Sequence, residues 1–268
     1  MDAVVLALLL GAVIGLVLAL TGAGGGVLSI PLLVFGLHLP VQQAAPVGLL
    51  AVGLASALGA AFGLREGLVR YRAALLIGMA GMLMAPLGVA LARHLPNRPL
   101  LAAFALVLLY SAQRILRHPA PTEQALRSVP CQVSPSDRRL TWTRPCARAL
   151  AGTGLVAGLL SGLLGVGGGF VIIPALARYT DLETRSIQVT SLAVIALVSI
   201  SGVTAAALQG ALLWQVAQPF TLGAVLALLA GRQIAGKLDA KHLQQAFAWF
   251  AVLVALLMIA RAFGWVTA

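Results

Sequence analysis

Residues 11–31 read GAVIGLVLALTGAGGGVLSIP, and residues 154–174 read GLVAGLLSGLLGVGGGFVIIP. The second stretch begins 143 residues after the first, and in that register six glycines and one proline coincide. Hydrophobic segments that occur twice and are interrupted by Gly and Pro are typical of membrane proteins built from two repeats with discontinuous helices. The matched positions are Gly11/Gly154, Gly15/Gly158, Gly22/Gly165, Gly24/Gly167, Gly25/Gly168, Gly26/Gly169 and Pro31/Pro174.

The composition predicts a membrane protein. Hydrophobic residues make up 60% of the chain and charged residues 9%, whereas a soluble domain carries about 25% charged residues. Long apolar runs recur along the whole chain, and the alternation of an outer-membrane barrel strand is absent. Helices then satisfy the backbone in lipid, so we predict an all-α polytopic membrane protein. Because Met1–Ala3 has no basic residue before the apolar stretch, we expect the first segment to be retained.

The whole chain follows the same duplication. Gly88 and Gly231 coincide at the 143-residue offset, and Arg98 coincides with Lys241. This pattern predicts two homologous halves, residues 1–117 and 149–268, joined by a basic, proline-rich linker at residues 118–148. The apolar segments lie at about 3–20, 27–38, 43–64, 72–92 and 99–117 in the first half, and at about 149–164, 170–178, 186–208, 211–231 and 243–263 in the second.

The glycine-rich stretch must interrupt the first helix of each half. As a single helix, residues 3–38 would be roughly 54 Å long at 1.5 Å per residue, which exceeds a hydrocarbon core of about 30 Å. The two pieces either cross the membrane separately or enter and leave it on one side. Each half is therefore predicted to have a Gly-broken or re-entrant first helix pair followed by three long transmembrane helices.

The basic residues distinguish between topologies. If the broken pair counts as one crossing, the 18 Lys and Arg residues divide 11 to 7 between the two sides, and if it counts as two crossings or none they divide 15 to 3. The positive-inside rule favours the second division. It predicts a cytoplasmic linker, periplasmic termini and two halves that are inverted repeats. We attribute the net charge of +11 to this topology and predict no nucleic-acid partner. Because the cytoplasm is reducing, we expect no disulfide between Cys131 and Cys146 in the linker.

The positions of the carboxylates indicate the sign of the substrate's charge. All of them lie in predicted loops, in the linker or at a terminus, whereas cation carriers and proton pumps need carboxylates within the membrane. An anion is compatible with this arrangement, but Lys and Arg are absent mid-span as well. The backbone N–H groups of half-helices that begin at the glycine breaks could then hold an oxyanion. The acidic residues are Asp2, Glu66, Glu123, Asp137, Asp181, Glu183 and Asp239.

The predicted substrate-binding residues are the glycines of the two breaks and a few polar residues downstream. The same glycines could instead serve only close helix packing, and the polar residues could serve interhelical hydrogen bonding or N-capping. The set consists of Gly22, Gly24, Gly25, Gly26, Gly165, Gly167, Gly168, Gly169, Gln43, Gln188, Thr190 and Ser191.

An enzymatic activity is not expected. Gly158–Gly162 superficially resembles the serine motif of intramembrane rhomboid proteases, but a serine nucleophile needs a base within hydrogen-bond reach. No histidine lies inside a predicted helix of the second half, and His242 is at a helix end. We predict no catalytic residues, no cofactor and no metal site.

The two GxGGG…P segments, the Thr190-Ser191-Leu192 triplet and the G-x-x-x-A-x-x-L pattern of Gly88–Leu95 together resemble the TauE/SafE family of sulfite-exporter-like permeases. The resemblance covers about residues 3–117 and 149–263 and leaves the linker uncovered. It implies a bacterial inner-membrane transporter for sulfite, sulfoacetate or related carboxylates, with the breaks and Gln188–Ser191 as the substrate region. The first half has Gly48-Leu49 in place of the family's T-S-L, which points to the second half as the more selective.

The sequence thus leads to one hypothesis and two alternatives. The hypothesis is an inner-membrane permease that moves a small anion by rocking its two halves around the paired breaks, with the anion and the lipid bilayer as its partners. The alternatives are a permease for another small solute and a non-transporting membrane scaffold whose linker binds a partner. Deleting most of residues 117–148 would abolish a scaffold's function and largely spare a permease.

Overall fold

The computed structural model describes residues 3–21, 25–117, 130–131, 143–235 and 240–262. These residues form α-helices and short connections, without a β-strand, which confirms the predicted all-helical fold. Among them, α1, α3, α4, α6, α8 and α9 are long and apolar enough to cross a membrane. The helices are α1 (Ala3–Thr21), α2 (Gly25–Gly36), α3 (Val41–Arg65), α4 (Tyr71–His94), α5 (Asn97–Arg117), α6 (Arg144–Leu164), α7 (Gly169–Tyr179), α8 (Thr184–Leu208), α9 (Trp214–Ala235) and α10 (Ala240–Ala262).

The helix α6 begins inside the range that the sequence assigned to the linker. It starts at Arg144 because Thr143 acts as N-cap, its hydroxyl accepting a hydrogen bond from the N–H of Cys146 at 3.3 Å. Pro145 occupies the first turn, where its missing N–H costs nothing. The second half therefore begins about one helical turn earlier than the apolar run at residue 149 suggested.

Each glycine break folds its helix back on itself. In the first half, a Cβ on Gly25 would lie 2.7 Å from the N atom of Leu18, and one on Gly36 would lie 2.6 Å from Leu10 Cδ1. The helix α2 therefore runs antiparallel to α1 and returns toward the end at which α1 began. It has 12 residues, about 18 Å at 1.5 Å per residue, and so it reaches only part of the way across a membrane of about 30 Å.

The second hairpin is fastened at its open end by the segment Pro130–Cys131. The N–H of Cys131 donates to the carbonyl of Tyr179 at the end of α7 (3.1 Å), and its sulfur is bonded to that of Cys146 at the start of α6. Thr143 also donates to the carbonyl of Pro130. The start of α6 and the end of α7 thus lie side by side.

This disulfide contradicts the expectation of two unpaired thiols. Cys131 and Cys146 are both fully buried and form the bond across 15 residues of chain. The expectation rested on the compartment alone, whereas the pairing depends on the contact of residue 131 with the end of α7. A closed loop of this length stabilises a fold by about 3 kcal/mol in the chain-entropy model.

The connections between helices group at two ends of the molecule. At one end, which we call the Glu66 end, Glu66 binds Arg185 of α8 and Arg232 of α9. At the other, which we call the Arg93 end, Arg93 of α4 donates to Gln209 after α8. The α1–α2 hairpin opens at the Arg93 end, because α1 runs parallel to α9. The α6–α7 hairpin opens at the Glu66 end, because α6 runs parallel to α4.

The contacts between the halves repeat at the 143-residue offset. A Cβ on Gly11 would meet the backbone of Phe220, and one on Gly154 would meet the backbone of Ile77. The partners differ by 220 − 77 = 143, as do the two glycines. The pairs α1–α9 and α4–α6 are therefore equivalent under the duplication. A contact set of this kind is what an inverted repeat requires, and the inversion across a membrane stays a prediction.

Glycines permit these helix pairs to touch through their backbones. On α6, Gly154, Gly158 and Gly162 recur every four residues and face α4, so that a Cβ on Gly158 would lie 2.5 Å from the Cα of Gly81. Small residues at such spacing let helices approach closely where no hydrophobic effect drives them together. The glycines before each break therefore serve close helix packing. For the break glycines, for which the sequence left this role open, packing is also tight at Gly25, Gly26 and Gly165.

Replacing Gly158 with Ala should lower the free energy of unfolding by about 1–3 kcal/mol, because the added methyl group overpacks the contact with Gly81. Gly152 on the same helix offers a matched control, since a Cβ there would meet nothing within 4 Å. Gly152→Ala should leave stability unchanged or raise it by up to about 1 kcal/mol. Thermal unfolding in detergent, followed by circular dichroism, measures both. Equal melting temperatures for the two variants would contradict the packing assignment.

Candidate functional site

The two glycine breaks meet in the buried interior. A Cβ on Gly26, in the first turn of α2, would lie 2.5 Å from the carbonyl oxygen of Val166 in the second break. Gly165 lies against the backbone of Ala45 in α3. Gly25, Gly26 and residues 165–169 are all buried. The two interrupted helices therefore bring their irregular backbone to one place. Gly22 and Gly24 lie outside the described residues.

The second break needs glycine for its conformation as well as for space. Gly165, Gly167 and Gly168 have φ angles of +68°, +76° and +73°, in the left-handed region that other residues rarely adopt. Gly165 caps the end of α6, and Gly168 is the N-cap of α7, its carbonyl accepting from the N–H of Ile172 at 3.1 Å. The triplet Gly167–Gly169 thus ends one reversal and begins the next half-helix.

The N-termini of α2 and α7 both begin in this buried region. The first N–H groups of an α-helix have no acceptor within the helix, and the helix dipole adds partial positive charge there. Neither helix has an acidic residue in its first turn to neutralise that charge. The hydroxyl of Ser29 is engaged by the carbonyl of Gly26 at 2.7 Å and so remains within α2.

Two branched side chains, Val52 of α3 and Ile195 of α8, pack against the breaks. A Cβ on Gly167 would lie 2.8 Å from Ile195 Cγ2 of α8 and 3.3 Å from Val52 Cγ1 of α3, and the same Val52 methyl is 3.2 Å from a Cβ on Gly26. Val52 and Ile195 are themselves equivalent, since 195 − 52 = 143. α3 and α8 therefore form a central pair that encloses the breaks from both halves.

Of the predicted polar residues of α8, some lie near the glycine breaks and others bond elsewhere. Thr190 is buried, but its hydroxyl accepts a hydrogen bond from the backbone N–H of Arg70 at the Glu66 end. Ser191 is also buried and donates to the carbonyl of Gln188 within the helix at 2.7 Å. Ser191 lies one helical turn from Ile195, which touches the second break. Gln188 is half-buried.

Gln43 is not brought to the breaks. It is exposed in the first turn of α3 at the Arg93 end, whereas its neighbour Gln42 faces inward and donates from its side chain to the carbonyl of Leu95 at 3.1 Å. The sequence does not fix the rotation of α3 about its axis, and the structure directs Gln42 inward and Gln43 outward. A substrate-binding role for either residue stays a prediction.

Two serines that the sequence analysis did not select lie beside the breaks. Ser56 follows Val52 by one helical turn in α3, and Ser199 follows Ile195 by one turn in α8. Both are buried, and neither hydroxyl has a partner among the described residues; the hydroxyl of Ser161 on α6 shares this condition. Positions 56 and 199 coincide at the 143-residue offset and are both serine. This match could have identified them from the sequence.

A cavity leads from the Arg93 end toward the second break. Its accessible volume is about 20 Å³, and both Gly162 and Ala45 line its inner part. Ala45 contacts Gly165, so the cavity ends beside the break. Its polar lining consists of Gln42 and Arg93. The remaining lining residues are Pro46, Leu49, Val89, Ala92, Gly202, Ala206 and Ala211.

The Glu66 end is held together by ion pairs. Glu66 binds Arg185 at 3.0 Å and Arg232 at 2.9 Å, and the guanidinium of Arg232 also lies 4.4 Å from the ring centre of Phe62. Ser186 donates to the carbonyl of Leu68 at the same end. Partly exposed ion pairs contribute about 0.2–1 kcal/mol each, so they hold this end together only weakly.

The sequence profile described as "Sulfite exporter TauE/SafE" matches residues 7–258. The chain belongs to the TauE/SafE sulfite exporter family. Two relatives of the chain, each named "Probable membrane transporter protein", come from Xylella fastidiosa strains 9a5c and Temecula1 / ATCC 700964. They are 27% and 26% identical to it over 261 residues, which is 95% of this chain and 94% of each relative. No solved structure matches the chain significantly.

This assignment confirms the predicted resemblance and gives the paired breaks their context. A TauE/SafE chain with these helices is a multi-pass membrane protein of a transporter family. The match covers both hairpins, so the contact between Gly26 and Val166 lies within the family region.

Replacing Ser56 or Ser199 with Ala should keep or raise the stability of the protein, because a buried hydroxyl without a partner costs about 1–3 kcal/mol. Ser29→Ala serves as the matched control and should lower the melting temperature, because it removes a buried hydrogen bond to Gly26. Thermal unfolding in detergent distinguishes them. A loss of stability in both Ser56→Ala and Ser199→Ala would show that these hydroxyls have partners in the protein.

Proposed function

We propose that this protein is a bacterial inner-membrane permease for a small anion, namely sulfite, an organosulfonate or a related sulfur oxyanion or carboxylate. The observation that carries the proposal is the contact between the two breaks. Gly26 and Val166 bring the N-terminus of α2 and the reversal before α7 together in a buried region. Half-helices that meet at the interface of two repeats are the usual location of a transporter's substrate site.

The charges around this region support an anionic substrate. Among the described residues, the carboxylates Glu66, Asp181 and Glu183 all lie in connections or at a helix cap outside the central region. An anion between α2 and α7 would receive backbone N–H groups and the positive ends of two helix dipoles. The hydroxyls of Ser56 and Ser199 could add neutral hydrogen bonds from the central helix pair. A cation at this place would find no carboxylate ligand among the residues that the structure describes.

We propose alternating access because the two ends of the molecule differ in the present conformation. The present conformation has a cavity at the Arg93 end, whose inner part touches Ala45 and Gly162, and ion pairs of Glu66 at the other end. Breaking the ion pairs and closing the cavity would expose the breaks to the opposite side. The equivalence of the pairs α1–α9 and α4–α6 supports this exchange, because two halves with matched contacts can trade conformations.

Gly168→Ala should reduce sulfite transport in proteoliposomes by about tenfold or more, because recognition needs donors held within about 0.5 Å of their positions. The added methyl group is incompatible with φ of +73° and would lie 2.8 Å from the carbonyl oxygen of Ala157. Gly67→Ala is the matched control, since Gly67 also has a positive φ of +70° but open space around it and lies at the Glu66 end. Both variants carry similar backbone strain.

The comparison of these two variants isolates the break from general instability. Equal transport by Gly168→Ala and wild type, at equal amounts of reconstituted protein, would remove the second break from the substrate site. Equal losses in Gly168→Ala and Gly67→Ala would assign the effect to strain. Transport of sulfite, thiosulfate, sulfoacetate, taurine and acetate by the wild type identifies the substrate, and transport of none of these would overturn the proposal.

The orientation in the membrane is also proposed. The connections after α3 and α7 and the end of α9 lie at the Glu66 end, and the sequence assigns 15 of the 18 basic residues to these connections and the linker. The positive-inside rule then favours a cytoplasmic location for this end. The disulfide between Cys131 and Cys146 opposes this orientation, because disulfides persist in oxidising compartments. Both sulfurs are fully buried, which shields them from soluble reductants.

Cysteine labelling in intact cells decides between the two orientations. In a background with Cys131 and Cys146 replaced by Ser, a membrane-impermeant maleimide should label Pro96→Cys, which is exposed at the Arg93 end. It should fail to label Thr184→Cys, which is exposed at the Glu66 end, until the cells are permeabilised. The reverse pattern would place the Glu66 end and its disulfide in the periplasm and overturn the proposed orientation.

A further inference from the structure

Equivalent residues join neighbouring helices at the two ends of the molecule. Glu66 is the C-cap residue of α3, and Gln209 is the C-cap residue of α8, with 209 − 66 = 143. Each accepts a hydrogen bond from an arginine near the end of another helix. Glu66 Oε1 accepts from Arg232 of α9 at 2.9 Å, and Gln209 Oε1 accepts from Arg93 of α4 at 3.1 Å. The two caps and the two helix pairs are equivalent, but the arginines are not, because Arg232 corresponds to Val89 at the offset. At the cap itself the second half has an amide where the first half has a carboxylate.

This replacement changes the charge of the two ends. Glu66 shares its negative charge between Arg185 and Arg232. Gln209 is neutral, so the charge of Arg93 is not compensated by its partner. Among the described residues, no carboxylate lies within ion-pair distance of Arg93.

The surroundings of Arg93 are free of negative charge in the part of the chain that the structure describes. The carboxylates there are Glu66, Asp181 and Glu183, and all three are at the Glu66 end. A concave site with one uncompensated sign of charge raises the local concentration of the opposite ion. Around Arg93, the part of the chain that the structure describes therefore offers no carboxylate to compensate the positive charge, although more basic residues are assigned to the Glu66 end.

Arg93 and Gln42 are the polar side chains that line the cavity at this end. On its inner side the cavity reaches Gly162, in the turn of α6 before Gly165, and Ala45, which touches Gly165. An ion that enters here arrives beside the second break without crossing another charged group. The cavity therefore extends from the guanidinium of Arg93 to the irregular backbone of the second break.

We propose that this cavity is the anion-loading site at the Arg93 end, and that Arg93 supplies its charge. The inference rests on the proposed function and adds a residue and a location to it. The guanidinium presents parallel N–H groups that match the oxygens of a carboxylate, sulfite or sulfonate. The carboxamide of Gln42, which now donates to the carbonyl of Leu95, supplies a neutral donor on the facing side.

Loading at this site replaces one acceptor of Arg93 by another. A charged oxyanion accepts a stronger hydrogen bond from guanidinium than the neutral amide of Gln209 does. An oxyanion therefore competes with Gln209 for the guanidinium, and an exchange of acceptors would release the bond between α4 and the loop after α8. The cavity volume of about 20 Å³ holds little more than one water molecule, so the cavity must widen before it can hold an oxyanion.

The other described arginines at this end have different surroundings. Arg261 donates to the carbonyl of Val34 at 3.5 Å, and its guanidinium lies 5.5 Å from the ring centre of Phe35. Arg98 is exposed in the first turn of α5. Neither residue lines the cavity, and Arg98 therefore provides a control with the same charge at the same end.

The test is the affinity of purified protein for sulfite, measured by calorimetry in detergent at fixed ionic strength. Arg93→Gln should weaken binding about tenfold, because a charge-assisted hydrogen bond becomes a neutral one. Gln209→Glu should weaken it to a similar degree by neutralising Arg93, as Glu66 neutralises Arg232. Gln209→Glu keeps the arginine in place, so it tests the charge without removing a side chain. Arg98→Gln should bind like the wild type.

Each outcome of this experiment is decisive for one of the two proposals. Wild-type binding that persists unchanged in both Arg93→Gln and Gln209→Glu would overturn the loading site and leave the permease intact. If Arg98→Gln weakens sulfite binding equally, the loss is due to the net charge of this end, and the specific role of Arg93 is overturned. A wild-type protein that binds neither sulfite nor the other anions would overturn the proposed function itself. Melting temperatures close to that of the wild type ensure that the variants compared are folded.

Discussion

Interrupted helices can exist inside a bilayer only where protein covers their unpaired backbone groups. In this chain each break is covered by the other, through the contact of Gly26 with Val166, and by the central helices α3 and α8. The close approach of α1 to α9 and of α4 to α6 holds the hairpins in register for that contact. A side chain larger than hydrogen at most of these positions would separate the halves, so the glycine content is a consequence of the topology.

The two halves match in their apolar contacts but differ in the charge of equivalent residues. Val52 and Ile195 occupy equivalent places against the breaks, and Ser56 and Ser199 follow them by one turn. Glu66 and Gln209 occupy equivalent caps but differ in charge. Packing requires the two halves to match, because each fills space left by the other. Charge at the two ends is free to differ, because the caps at the two ends do not pack against each other. In the proposed permease, this difference would distinguish one side of the membrane from the other.

Much of the fold could be predicted from the sequence, and the site only in part. The paired glycine stretches predicted both hairpins because a break and its depth depend on local composition. The sequence could not tell that Gln42 faces inward and Gln43 outward, because the rotation of a helix about its axis depends on its neighbours. Cys131 and Cys146 show a second limit, because their pairing depends on the end of α7 lying next to the start of α6. The buried serines required knowledge of which hydroxyls lack partners.

The segment at Cys131 makes the two hairpins mechanically unequal. It bonds covalently to the start of α6 and through its backbone to the end of α7, so the open end of the second hairpin is fixed. The chain has only two cysteines, and the first hairpin has no such clamp. In the proposed permease, α7 and the start of α6 would therefore move as one unit, whereas no covalent bond ties the end of α2 to the start of α1. The disulfide would then restrict relative motion within one hairpin only.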